Sequence, residues 1–311
     1  VENTPALEAQ LLSGQIDMIA GELGLPIEQA LALQRRAGGS FAFHFQPGLI
    51  YEHIDLHLGN PILADRRVRQ ALILSADRAQ IVARLFDGRQ PVAHSNVNPL
   101  DGVHDSDVRQ WPFDLARART LLEEAGWRPG PDGIRRNPAG ERLVLDFMTT
   151  AGNRSREQVQ QVLAAGWRQA GIEMRVRNEP PRVFFSETVT RRRYGGLAMF
   201  AWISSPESVP RSTLHSDEIP TPERNWSGQN TTGFSHPRMD EILERLPATL
   251  RREDRIPLWR DLQAIYAEEL PAIPLWFRAD AHVWPLWLDG VRPTGHLNAS
   301  SLWAEEWRVR R

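Results

Sequence analysis

The sequence predicts an α/β fold built on a sheet with parallel strands, and two observations carry that prediction. The first is a run of strand, helix and strand. Leu143, Leu145 and Phe147 recur at every second position, as in a half-buried strand. From Ser155 to Ala170, Val159, Val162, Leu163 and Trp167 fall on one side of a helix that Gly171 closes. Ile172, Met174 and Val176 return to period two. Such a βαβ unit demands parallel strands and a right-handed crossover. The second observation is the stretch 197–203, Leu-Ala-Met-Phe-Ala-Trp-Ile, apolar enough for a strand covered on both faces.

Composition narrows the function. The chain has 311 residues, enough for one large domain or two ordinary ones. A net charge of −2 gives no pull toward nucleic acid or anionic lipid. All 37 basic residues are arginine, which reads as codon usage, and Arg191, Arg192 and Arg193 read as a solvated face. No cysteine is present, so disulfides, thiolate zinc sites and a cysteine nucleophile are excluded. No apolar run reaches the roughly 18–20 residues of a membrane span. The first residue is Val1 rather than Met, as expected of a mature form or an internal piece.

Taken in order, Thr4 as N-cap and Pro5 at the first helical position open a helix striped by Leu7, Leu11 and Leu12 and stopped at Gly14. Ile16, Met18 and Ile19 suggest a short strand. One helix and one strand cannot bury their own faces, so 5–33 read as the tail of a domain whose body is missing or is completed elsewhere. Phe41, Phe43 and Phe45, then Ile54, Leu56 and Leu58, read as two strands parted at Pro47 and Gly48. Asp65 caps a helix from about 66 to 86, with Val68, Leu72, Ile81, Val82 and Leu85 inward and Gly88 as its stop. Residues 89–112 read as a surface excursion. Asp114 caps the next helix, which ends at Gly126, and 130–140 form a hairpin-like loop. A short helix near 182–190 leads to the apolar strand. The polar segment 204–235 is too long for a plain connection and reads as a functional loop or cover. Helices follow at about 237–246 and 253–269. Trp284, Trp287, Trp303 and Trp307 in the tail need a surface to pack on, which the N-terminal part is expected to supply.

Pro206 and Pro210 stop the strand 197–203. Ser204, Ser205 and Glu207 therefore stand at the carboxyl edge of the sheet, where open α/β sheets hold ligands. Trp202 either lines a ligand or belongs to the core. Glu207 either pairs with a ligand amine or stands in solvent. The loop 149–154 follows a parallel strand and reaches the same edge. Ser155 and Gln158 have capping-box spacing, so Asn153 and Arg154 sit at a helix N-terminus that favours an anionic or carbonyl group. The alternative is that Ser155 only caps and Arg154 only decorates the surface. Arg211, Asn225, Gln229 and Asn230 offer planar hydrogen-bonding groups in the long polar segment. His53 and His57 share a face, but no third ligand has metal-site spacing. No His-Glu-x-x-His or Gly-x-Ser-x-Gly pattern occurs, and a phosphate loop ending in lysine is impossible here. The residues favour binding over catalysis, with no cofactor and no metal.

Four runs resemble one family. Asp65, Val68, Arg69, Gln70, Ala71, Leu72, Asp77, Arg78 and Ile81 stand in the spacing of its first signature. Asp114, Ala118, Leu121, Leu122, Glu124, Ala125, Gly126 and Trp127 match a second, Gly171 and Ile172 a third, and Leu11, Gly14, Ile16 and Asp17 a fourth. The chain thus resembles the family 5 extracellular solute-binding proteins, the dipeptide, oligopeptide and nickel receptors of ABC importers. The resemblance implies a class II periplasmic-binding-protein-like fold. Residues 46–280 would be the C-terminal lobe, a mixed or parallel sheet flanked by helices, and 1–45 and 281–311 short parts of the first lobe. Most of the N-terminal lobe lies outside the chain. A small solute or short peptide would be held between lobes that hinge near 41–58 and 273–284, then passed to membrane permease subunits from the periplasm or cell exterior. The family's peptide binders hold the ligand amine with an Asp in the loop where this chain has Ser204, Ser205, Pro206 and Glu207. That departure puts a peptide ligand in doubt unless Glu207 substitutes. Arg154 is the nearest match to a basic residue that serves the ligand carboxylate in some members.

Overall fold

The computed structural model describes residues 3–21, 24–296 and 300–310. Two compact units divide the chain. The first comprises Val1–Ile50, Ala79–Val92 and Trp276–Arg311, and the second Tyr51–Arg78 and Ala93–Leu275. Ala79–Val92, expected inside 46–280, thus groups with the first unit.

In the first unit, α1 (Thr4–Leu12) starts one residue earlier than its expected cap. Asn3, not Thr4, is the N-cap, and its side chain accepts the Ala6 N–H at 2.9 Å. α2 (Ile27–Ala37) was not anticipated. Its apolar residues Ala30 and Leu33 join Leu11, Ile19, Leu25, Ala281 and Val283 in one buried cluster. The expected strand at 16–19 reduces to one bridge, Ile19 with Val283, closed by two 2.8 Å backbone hydrogen bonds. β1 (Phe41–Leu56) is one continuous strand through Pro47, where two were expected.

After a short α3 (Pro61–Ala64), the helix expected over 66–86 is two: α4 (Arg66–Leu74) and α5 (Arg78–Leu85). Asp65 caps α4 as expected. The break follows Ser75, whose hydroxyl donates back to the Ala71 carbonyl at 2.5 Å, a competition that ends helices. Asp114 caps α6 (Leu115–Glu124) by accepting the Arg117 N–H.

The βαβ unit is present: β2 (Val144–Thr149), α7 (Arg154–Ala170) and β3 (Glu173–Val176), with β2 parallel to β3. Trp167 is fully buried and donates its indole N–H to the Leu72 carbonyl at 2.8 Å. Beyond α8 (Pro181–Val183), a π-helix over Phe184–Val189 replaces the short α-helix expected there. β4 (Leu197–Ile203) pairs parallel with β2, Phe147 opposite Leu197. Gly196 permits that pairing, because a Cβ there would stand 2.5 Å from the Asp146 carbonyl oxygen. α9 (Arg211–Leu214), α10 (Pro237–Ala248) and α11 (Arg252–Glu269) lead to β5 (Ala272–Pro285). The sheet order is β3-β2-β4-β1-β5, a mixed α/β arrangement flanked by helices. α10 and α11 pack through Met239, Ile242, Leu243 and Leu246 against Leu258, Trp259, Leu262 and Tyr266. In the tail, β6 (Leu288–Asp289) and β7 (Arg308–Val309) form a two-stranded antiparallel ribbon.

Arg78 is buried without a carboxylate. Its guanidinium donates to the carbonyls of Ala93, Pro274 and Trp111, and burial lowers its pKa to about 10, so it stays charged at neutral pH. It is a structural tie between segments of the second unit.

Candidate functional site

The second unit holds a cavity of about 350 Å³, within the range of small-molecule sites. Period-two alternation at the end of β1 builds its floor. Tyr51, His53 and Asp55 face the cavity, while Glu52 on the other face pairs with Arg156 at 3.0 Å. The Tyr51 and Tyr266 hydroxyls lie 3.0 Å apart. The His53 ring stacks on Tyr51 at 5.0 Å, its Nδ1 lies 3.3 Å from the Tyr51 carbonyl and its Nε2 3.2 Å from Asp55. The other Asp55 oxygen accepts the Thr231 hydroxyl at 2.6 Å. Burial pushes both tyrosine phenols above their ordinary range, so they remain neutral and available for hydrogen bonding.

One wall is the carboxyl end of β4, with Trp202, Ile203, Ser204 and Ser205. Trp202 is 36 % exposed and meets Phe200 edge-on at 5.8 Å. A second wall comes from the segment expected to be a surface excursion: Asn96, Val97, Asn98 and Asp101 line the cavity. Local turns hold it in place. Asn98 accepts the Leu100 N–H at 2.9 Å, and Gln263 donates to the Val103 carbonyl at 2.9 Å. Residues 208–210, 212–214 and Trp259 also line the cavity, with Gln229 beside them.

The candidate residues divide. Trp202, Ser204 and Ser205 line the cavity together. Glu207 does not: it turns to Arg255 at 3.2 Å and Arg252 at 3.5 Å, while its own N–H donates to Asp101 at 2.7 Å. Asn153, not Ser155, caps α7 by accepting the Arg156 N–H, and Arg154 is an exposed residue of its first turn. Neither lies in the cavity lining. Arg211 pairs with Glu218 and Asp217. Asn230 is fully buried and spent on structure. It donates to the His215 and Phe234 carbonyls and accepts from Thr232 and the Phe234 N–H. His57 packs on Tyr194 at 5.2 Å, outside the lining, so the histidine pair is split. Sequence reasoning missed Tyr51, Asp55, Asn96, Asn98, Asp101, Trp259 and Tyr266. The alternation Tyr51, His53, Asp55 was a legible signal. Nothing local marks 96–101, because their place depends on contacts with distant helices.

This arrangement can hold a small polar molecule between aromatic faces, with hydroxyl, amide and carboxylate groups to orient it.

Residues 1–218 match the model of the bacterial extracellular solute-binding proteins, family 5, middle region. The oligopeptide-binding protein AppA of Bacillus subtilis is 24 % identical over 247 residues, 78 % of this chain and 44 % of its own length. Di/tripeptide-binding protein 2 of Pseudomonas aeruginosa is 23 % identical over 79 % of this chain and 42 % of its own. Among solved structures, the oligopeptide-binding protein of Thermus thermophilus in complex with a pentapeptide superposes with a TM-score of 0.81 at 34 % identity, covering 94 % of this chain and 52 % of that one. NikZ of Campylobacter jejuni in complex with a nickel–histidine chelate gives 0.79 at 21 %, over 99 % and 60 %. The chain spans about half the length of the relatives it matches.

Proposed function

Since this chain belongs to the family 5 bacterial extracellular solute-binding proteins, we propose that it is the substrate-binding part of an ABC importer. It would capture a short peptide or other small polar solute and deliver it to permease subunits at the outer face of a bacterial membrane. The cavity walled by Trp202, Ser204 and Ser205 carries this reading, because it combines aromatic faces with polar groups at the carboxyl edge of the sheet. Reversible capture needs no covalent step. In this reading the second unit, Tyr51–Arg78 with Ala93–Leu275, holds the solute, and further chain outside this sequence completes the enclosure. Periplasmic or cell-surface location belongs to the same proposal. Among the described residues, no helix is long and apolar enough to cross a membrane.

A thermal-shift screen of the purified protein tests it. A ligand that binds only the folded state raises the unfolding midpoint, by an amount equivalent to about 2.7 kcal/mol at a hundredfold excess over Kd. At least one member of a panel of di-, tri- and pentapeptides, glutathione and nickel–histidine chelate should do so. A flat response across that panel counts against the proposal.

A further inference from the structure

His53, on the cavity floor, is only 2 % exposed, and both its ring nitrogens face oxygens. Nδ1 lies 3.3 Å from the Tyr51 carbonyl, and Nε2 lies 3.2 Å from one Asp55 oxygen. The second is an ion-pair contact rather than an aligned hydrogen bond, and Nε2 has no hydrogen-bond partner among the described residues. A carbonyl and a carboxylate only accept, and a neutral imidazole has a single N–H. In either neutral tautomer, therefore, one nitrogen sets its lone pair against an oxygen. A second proton removes the conflict.

Asp55 has the complementary need. It is 6 % exposed, its other oxygen accepts the Thr231 hydroxyl at 2.6 Å, and no arginine pairs with it among the described residues. A buried carboxylate without a cation is unfavourable. The other ionisable groups packed around the pair are the phenols of Tyr51, Tyr266 and Tyr194. Burial chiefly, with the Asp55 charge adding to it, pushes all three up, so they stay neutral. Arg78 and Arg192 act on Tyr51 and Tyr194, but their guanidinium groups are bonded to backbone carbonyls. Asp101, elsewhere in the lining, accepts the N–H groups of Glu207 and Val103. The imidazole is left as the partner of Asp55.

We infer that His53 and Asp55 hold one proton between them, and that His53 thereby acts as a positioning residue that fixes the cavity floor for solute capture. The positioning role rests on the solute-binding reading above, whereas the shared proton does not. With the proton in place the pair has no net charge. The ring is held between Tyr51, stacked on it at 5.0 Å, and Phe200, edge-on at 4.6 Å, and an imidazolium also gains from the tyrosine face. Asp55 in turn anchors Thr231, whose carbonyl accepts from the Tyr194 hydroxyl and Arg192. Loss of the proton turns a lone pair on the carboxylate and loosens the ring that floors the cavity. Capture is then linked to that proton. A site that holds solute better in its protonated form loses affinity as pH rises.

Nitrogen NMR of the isotope-labelled histidine rings tests the proton without any solute. At neutral pH both His53 nitrogens should carry protons, their signals being assigned by loss in H53Q or by change in D55N. In D55N one of the two should become a bare lone-pair nitrogen. A neutral His53 ring in the wild type overturns the inference. Calorimetric titration with trialanine at about pH 6 and about pH 9, on either side of the range in which imidazoles ordinarily change charge, tests the link to capture. Between the two, wild-type affinity should fall roughly tenfold more than that of H53Q, whose amide donates to Asp55 at either pH. The trialanine amine titrates alike against both proteins, so the difference belongs to His53. Parallel losses in the two proteins overturn the positioning role and leave the solute-binding reading standing. No saturable heat at either pH overturns that reading and the positioning role together, while the ring signals still decide the shared proton.

Discussion

The loops that follow β2 and β4 reach the same edge of the sheet, yet only one lines the cavity. The β2 loop spends its polar groups on itself. The Thr149 hydroxyl donates to the Met199 carbonyl at 2.9 Å, Glu157 accepts the Gly152 N–H at 2.9 Å, and Asn153 caps α7. Arg156 bridges Glu52 and the Thr150 hydroxyl. The β4 loop faces the cavity instead. A Ser208 N–H to the Ser205 carbonyl closes its turn at 3.0 Å, and Glu207, in the left-handed region at φ 53°, takes its hydrogen bond from outside the loop. Trp202 and Ile203 are left exposed beside the cavity. Position at a sheet edge is therefore necessary for a ligand loop but not sufficient. The side chains must also turn toward the cavity.

The largest test of this contrast is Arg156→Ala. It takes the guanidinium from Glu52, whose side chain is 4 % exposed, and breaking a buried pair of this kind costs about 3 kcal/mol. Urea unfolding should show that loss, with solute affinity unchanged once the protein is folded. Trp202→Ala should behave in the opposite way. A half-exposed ring contributes little to the core, so the unfolding midpoint should barely move, while Kd should rise at least tenfold, or about 1.4 kcal/mol. Unfolding of that variant would assign Trp202 to the core.

The wall at 93–104 offers a test through pH. Burial first, then Arg78 and His104, depress the His94 imidazole to about 4. The folded protein keeps His94 neutral, whereas the unfolded chain protonates near pH 6.5. Its contribution is complete above about pH 6.5 and is lost as pH falls toward 4. Because this ring is partly solvated, the loss should be only about 1 kcal/mol. Unfolding midpoints at several pH values should fall less steeply for His94→Gln than for the wild type. An unchanged slope would contradict the burial of that ring. Asn153→Ala should cost about 1 kcal/mol by removing the α7 cap and leave affinity intact.

Much of the fold was legible in the sequence because its signals are local. Asp65 and Asp114 cap the helices they were expected to cap, Gly171 closes α7 in the left-handed conformation, and the βαβ unit pairs in parallel. What escaped depends on distance. β1 passes through Pro47 unbroken, and the 66–86 helix breaks where a serine hydroxyl bonds its own turn. The site was half legible for the same reason. Trp202, Ser204 and Ser205 follow from a strand that proline stops, whereas Asp101 and Trp259 reach the cavity only through tertiary packing. Asn153 and Asn230 looked like ligand groups by residue type, but the backbone had already engaged them.

In the proposed reading the β4 loop, and not the β2 loop, is a wall of the solute site. Titration of the wild type, Trp202→Ala and Arg154→Ala with trialanine tests it most directly. Saturable heat of equal affinity in the wild type and Arg154→Ala, with at least tenfold weaker binding in Trp202→Ala, is the expected result. Weakening by Arg154→Ala with Trp202→Ala unaffected would contradict it.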